Sequence, residues 1–140
     1  TYFWGDRHYA IFMGPERAVR MSPTGDALRC NLPFTLHNDT FVTPIDPLLL
    51  VWSAVNRLSY GGRDLGKAEQ GIPVLEALKG ITINASRQGF EEGVKGSIEP
   101  GKFADFVVLD ENPLAVDPMH LKDIEIAATI VGDVLAYGAL

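Results

Sequence analysis

Cysteine is nearly absent from this chain: Cys30 is the only one. No intrachain disulfide can form, and no Cys-based zinc site can be assembled. Cys30 lies in Leu28-Arg29-Cys30-Asn31-Leu32 without a Cys-His signature, so it reads as a half-buried core thiol and not as a nucleophile. Positive charge is also in deficit. Twelve Lys and Arg stand against eighteen Asp and Glu, a net charge of −6. With no basic patch to neutralise phosphates, nucleic acid is excluded as an expected partner, and an anionic membrane surface is disfavoured. No apolar run approaches the ~18–20 residues needed to span a bilayer, and no signal-peptide pattern opens the chain. A cytoplasmic protein with no membrane association is expected. There is no Gly-x-Ser-x-Gly elbow for a serine hydrolase. Histidine is sparse: His8, His37 and His120 are all there is, with no His-x-His pair.

What is present is globular. The 140 residues are 46% hydrophobic and 21% charged, enough to enclose one ordinary core and too apolar to stay disordered. The chain starts at Thr1, without Met, and runs straight into the core-like Tyr2-Phe3-Trp4; a fragment or processed chain is expected. Short helices are read at Pro15–Met21 and Ser22–Cys30, with Ser22 as N-cap of the second. A stronger helix opens at Pro47 behind Asp46 as N-cap. Leu48, Val51, Trp52, Val55 and Leu58 recur along it at three- and four-residue spacing, and Gly61-Gly62 should stop it. Another is read from about Pro73 to Arg87. Strands are expected at Thr1–Gly5 and Leu32–Leu36. In the tail, Ala127–Val131 and Val134–Tyr137 flank Gly132-Asp133, a two-residue hairpin turn, and should pair with Ala104–Asp110. An α/β front joined to a β-rich back fits two βα units plus a small separate sheet.

Between the two parts lies Lys95–Pro113, KGSIEPGKFADFVVLDENP. Pro100 pre-sets φ for the first central position of a turn and Gly101 supplies the positive φ of the second. A short apolar strand follows, and Asn112-Pro113 ends it. No catalytic residue lies inside.

His37-Asn38-Asp39 is the main candidate for chemistry. It follows an expected strand and precedes a loop into a helix. In a (β/α)8 barrel that is the C-terminal edge of a strand, where active sites are built. A carboxylate there is both a hard metal ligand and a base. Taken alone, an Asp in this position is equally a cap or turn residue, and His37 is equally a hydrogen-bonded structural histidine. Arg17, in Gly14-Pro15-Glu16-Arg17-Ala18, either pairs with a carboxylate or substrate or is an exposed residue of a first helical turn. His120 reads as a surface residue.

The phrase Lys95-Gly96-Ser97-Ile98 through Pro100-Gly101-Lys102 to Ala104-Asp105-Phe106-Val107-Val108-Leu109-Asp110 resembles a signature near the C-terminus of the amidohydrolase superfamily. Phe34-Thr35-Leu36-His37-Asn38-Asp39-Thr40-Phe41-Val42-Thr43-Pro44 is similar to the last barrel strand of the YtcJ-like, or type 3, amidohydrolases, which include N-substituted formamide deformylase. Trp4-Gly5-Asp6-Arg7-His8, Gly14–Ala18, Val74–Leu78 and Thr82–Ser86 carry the likeness along nearly the whole chain. The resemblance implies an α/β fold: residues 1–94 as the last βα units of a metal-dependent (β/α)8 TIM barrel, and residues 95–140 as strands of a small urease-like β-sandwich. Lys95–Pro113 would be the hinge between them.

The same resemblance implies that the complete enzyme hydrolyses a non-peptide C–N bond of a small amide, formamide or cyclic amide through metal-bound hydroxide. Asp39 would be the catalytic, metal-binding and proton-accepting aspartate. His37, Asn38 and Arg17 would face the substrate or support the site. The metal would be divalent, zinc by expectation. The family's early His-x-His pair and two further metal-binding His have no counterpart here, so this chain alone is expected to bind no metal and to be inactive. The alternative is a non-catalytic interaction module that self-associates through exposed apolar strand faces. Either way a homo-oligomer is expected.

Overall fold

Asp46 and Pro47 start the element around which the rest is arranged. In the computed structural model, which describes residues 1–139, the Asp46 carboxylate accepts the Leu49 N–H at 2.9 Å. Pro47 takes the first helical position, where a missing N–H costs nothing. The chain forms short helices α1 (Gly5–Arg7), α2 (Pro15–Ala18) and α3 (Thr24–Arg29), then the central α4 (Pro47–Asn56), α5 (Lys67–Gln70), α6 (Val74–Ile81) and α7 (Ile83–Gln88). Strands β1 (Phe106–Leu109), β2 (Ile126–Val131) and β3 (Val134–Gly138) close it, with a 3₁₀ turn at Pro118–Asp123 between β1 and β2. The architecture is α/β with a small antiparallel sheet. Leu140, the last residue of the expected 95–140 unit, lies outside the described residues. No helix among the described residues is long and apolar enough to cross a membrane.

Helix α4 is buried on nearly all sides, which is the pattern of a core helix and not of a surface one. Leu48, Leu49, Val51, Trp52, Ala54 and Val55 meet Ile72 and Ala77 on one side and Leu121 and Ile124 on the other. Each buried Leu, Val or Ile among them is worth about 1.5–3 kcal/mol of transfer free energy. Polar bonds fix the docking: Trp52 Nε1 donates to the Met119 carbonyl and Asn56 Nδ2 to the Pro118 carbonyl, both at 2.8 Å. Asp117 caps the 3₁₀ turn through the Met119 N–H, as its place before Pro118 suggests. The tail is thereby pinned to α4.

The sheet order is β1-β2-β3, with both neighbouring pairs antiparallel. The hairpin turn is the expected one. Gly132 and Asp133 both have positive φ, 55° and 67°, the type I′ geometry that matches strand twist. The Asp105 carboxylate accepts the Gly132 N–H at 2.9 Å and ties the turn to the start of β1. At the far end, Gly138 has φ 78°, and a Cβ there would overlap the Ala127 carbonyl.

Four expectations are corrected. Thr1–Gly5 is not a strand: its residues turn into α1, held by Tyr60 N–H to Tyr2 O at 2.9 Å and by Asp6 to the Gly61 N–H at 3.0 Å. Leu32–Leu36 is extended but joins no ladder. In both cases no neighbouring strand is within reach, so the backbone finds other partners. Helix α4 ends at Asn56, before Gly61-Gly62, because Arg57 adopts a left-handed conformation, φ 55° and ψ 33°. The expected Pro73–Arg87 helix is two helices, broken at Thr82, where φ is −125° and ψ −100°. The Thr82 hydroxyl bonds back to the Leu78 carbonyl at 2.8 Å, a local competitor of the helical ladder. Smaller differences are that Ser22 does not cap α3, which starts at Thr24 without a side-chain cap, and that Cys30 is exposed at the end of that helix.

Candidate active-site cleft

The extended segment Leu32–Asp39 is held by helices. Leu36 N–H donates to the Gly80 carbonyl at 3.1 Å, Asn84 Nδ2 to the Phe34 carbonyl at 3.0 Å, and the Thr35 hydroxyl to Gln88 Oε1 at 2.8 Å. The segment ends in a tight reversal. Asp39 takes φ 55°, which Asp tolerates better than most residues, and its carbonyl accepts the Val42 N–H at 2.7 Å. The Thr43 hydroxyl donates to the Asn38 carbonyl. The loop leads directly to Asp46 and α4.

A cleft of about 480 Å³ opens beside this reversal. His37, Asn38 and Asp39 line it together, with Val42 and Thr43. His37 and Asp39 are exposed and Asn38 is half-buried. Ser22, Pro23 and Thr24 also line it, and the apolar lining comes from Tyr2, Phe34 and Leu36 among others. Arg17 is elsewhere: it is exposed, and its Nε donates to the Met13 carbonyl at 2.8 Å. The structure thus brings three of the four expected site residues to one cleft and leaves Arg17 apart. His120 is exposed on the 3₁₀ turn, and His8 packs edge-on to Phe12 with its buried Nδ1 unpartnered.

Sequence reasoning missed Arg57. Its side chain is 1% exposed, yet it lines the cleft. All four of its hydrogen bonds go to backbone carbonyls: two to Leu65 at 3.2 and 3.0 Å, one to Ser22 at 3.0 Å and one to Met21 at 2.5 Å. Burial pushes the guanidinium below its ordinary value, and the charge of Asp64 partly opposes this. The available signal was a charged residue closing a nearly all-apolar helix where glycine is the ordinary stop.

Among the described residues no three His, Cys, Asp or Glu side chains gather as a metal-holding group. A divalent cation needs about four or more ligands. Asp39 is a donor of the right class but a single one, so these residues do not by themselves fit a metal.

Comparisons with known proteins converge. Residues 1–137 match the model of the amidohydrolase family. N-substituted formamide deformylase of Arthrobacter pascens is 32% identical over 141 aligned positions, covering 98% of this chain and 25% of that protein. The protein YtcJ of Bacillus subtilis (strain 168), named as an amidohydrolase, is 36% identical over 103 residues, 71% of this chain and 19% of its own length. The crystal structure of an uncharacterized metal-dependent hydrolase from Pyrococcus horikoshii OT3 superposes with a TM-score of 0.67 at 26% identity, covering 82% of this chain and 24% of that one. The chain spans about a quarter or less of each of these proteins.

Proposed function

This chain belongs to the amidohydrolase family, and from that premise we propose that it is the C-terminal portion of a metal-dependent hydrolase acting on the C–N bond of a small amide, formamide or cyclic amide. Residues 1–94 complete a (β/α)8 barrel, and residues 95–140 contribute strands to a small β-sandwich. The observation that carries the reading is the grouping of Asp39 with His37 and Asn38 at one cleft, on a reversal that follows an extended segment and precedes α4. Support comes also from the formamide deformylase, which aligns along nearly the whole chain.

In the hydrolysis of a formamide, water adds its oxygen to the carbonyl carbon, the C–N bond breaks, and formate and an amine leave. One proton must come off the water and one must reach the departing nitrogen. Asp39 is the group assigned to both: its carboxylate accepts the first and returns it as the second. Exposure in the cleft keeps it accessible to water and substrate. His37 and Asn38 orient the amide by hydrogen bonds, and Arg17, outside the cleft, supports the site through a surface that the longer protein completes. A divalent metal, zinc in this reading, belongs to that longer protein, with Asp39 as one donor and the remaining ligands outside this chain.

Asp39→Asn in the longer protein removes the base while keeping its shape. Turnover of formanilide, followed as released aniline, should fall by roughly a thousandfold or more, in line with the loss of a general base. A variant retaining the unsubstituted rate would remove Asp39 from the mechanism.

A second reading rests on β3, whose five residues are all exposed and which pairs on one side only. It makes the chain a self-associating module, and with it comes the proposal of a homo-oligomer. Sedimentation of the 140-residue chain decides it: a monomer at all concentrations rejects this reading.

A further inference from the structure

We propose that Arg57 is a positioning residue of the cleft, holding in place the Ser22–Thr24 part of the lining that Asp39 shares; the inference rests on the hydrolase reading above and deepens it. Its backbone is left-handed, φ 55°, a conformation that glycine or asparagine adopts at a helix end without the penalty of a branched, bulky side chain. Something other than the cap therefore selects arginine here. The side chain supplies the reason: its planar fork reaches three carbonyls in two separate segments. Lysine, a point charge with tetrahedral donors, cannot reproduce that fork. No carboxylate is among the hydrogen-bond partners, so the buried charge is held by backbone carbonyls, with Asp64 acting on it only through its field. Such a charge is expensive to bury, and groups of this kind cluster where a site needs them.

What the fork holds is the approach to the cleft wall. Ser22, itself left-handed at φ 49°, gives its carbonyl to both the Thr24 N–H at 2.8 Å and Arg57 Nη1 at 3.0 Å. Thr24 is fixed from the other side, its hydroxyl donating to the Gln70 carbonyl at 2.9 Å, and the Asp26 N–H donates to Gln70 Oε1 at 3.1 Å. Gly25 permits this approach, since a Cβ there would overlap the Glu69 carbonyl. Residues 22–24 are thus clamped between Arg57 and α5, and they line the same cleft as His37–Asp39. Arg57 gives its hydrogen bonds to backbone carbonyls, and no contact with the reacting bond is assigned to it. A wall that contacts only the unreacting part of a substrate affects binding and chemistry alike in ground and transition state, so its displacement raises KM and spares kcat.

The test is Arg57→Lys in the longer protein, with formanilide as probe. KM should rise roughly tenfold while kcat per folded molecule stays within about twofold, the pattern of lost uniform binding. An unchanged KM with a lower maximal rate would mean a smaller folded fraction only, and would overturn the positioning role. If the unsubstituted protein hydrolyses no amide, the functional reading fails by itself. Amide exchange on the 140-residue chain then decides the structural half. In Arg57→Lys the Thr24 N–H should exchange at least about tenfold faster while the β2 amides hold their rate. Equal Thr24 rates in both chains would overturn the proposal.

Discussion

The tail sheet and the Leu32–Asp39 segment are both short apolar stretches bounded by turn residues, but they end differently. Phe106–Leu109 finds β2 inside the chain and becomes a strand. Leu32–Asp39 finds no strand and leans on α6 and α7 through three isolated hydrogen bonds. A ladder needs a partner, and extended conformation alone does not supply one. The residues assigned to chemistry therefore sit on the less self-supported region, while the region without chemistry is closed by its own hairpin. Phe41, Val42 and Ile45, just beyond Asp39, are all exposed.

The contrast can be broken most forcefully at what the two regions share. Trp52 is buried in α4 and bonds the tail through Met119. Trp52→Ala should cost about 3–5 kcal/mol, and both regions should lose protection together in urea. A sheet that stayed protected while α4 melted would show two independent units. A smaller change sharpens the contrast. Asp46→Ala removes the cap of α4 and should cost about 1 kcal/mol. Faster amide exchange should be confined to residues 38–50 and leave β2 unchanged; an equal effect in β2 would contradict the separation.

The smallest effect is one of pH. Hydrogen bonds from Arg20, then Arg29 and Gln70, hold the Asp26 carboxyl below its ordinary value. A carboxyl lowered in the folded state contributes stability in full above its unfolded value, about 3.9, and loses it as pH falls toward the folded one. The start of α3, and with it the cleft wall, should therefore be indifferent to pH between 5 and 8. It should loosen only below about pH 4, as followed by Thr24 exchange. Loosening near neutrality would mean another group controls the wall.

How much was legible follows from the range of each signal. Asp46-Pro47 and Gly132-Asp133 are local instructions, and each produces the expected cap or turn. The Ala104–Asp110 pairing was legible because its partner lies in the same chain. The strands expected at Thr1–Gly5 and Leu32–Leu36 needed a pairing partner, and neither segment finds one among the described residues. His37, Asn38 and Asp39 were adjacent in sequence, so their sharing one cleft was within reach; the clamp made by Arg57 was not, because it joins residues 21, 22, 57 and 65 through carbonyls that carry no sequence mark. Arg17 shows the converse: a motif position quoted from sequence that folds away from the cleft and bonds to its own preceding turn.

The division of the site between this chain and a longer protein is tested most directly by metal content. The 140-residue chain, purified with zinc in excess and desalted, should carry no stoichiometric metal by elemental analysis and hydrolyse no formanilide. One tightly held zinc ion per chain would contradict it, because Asp39 would then have partners that this structure does not bring to the cleft.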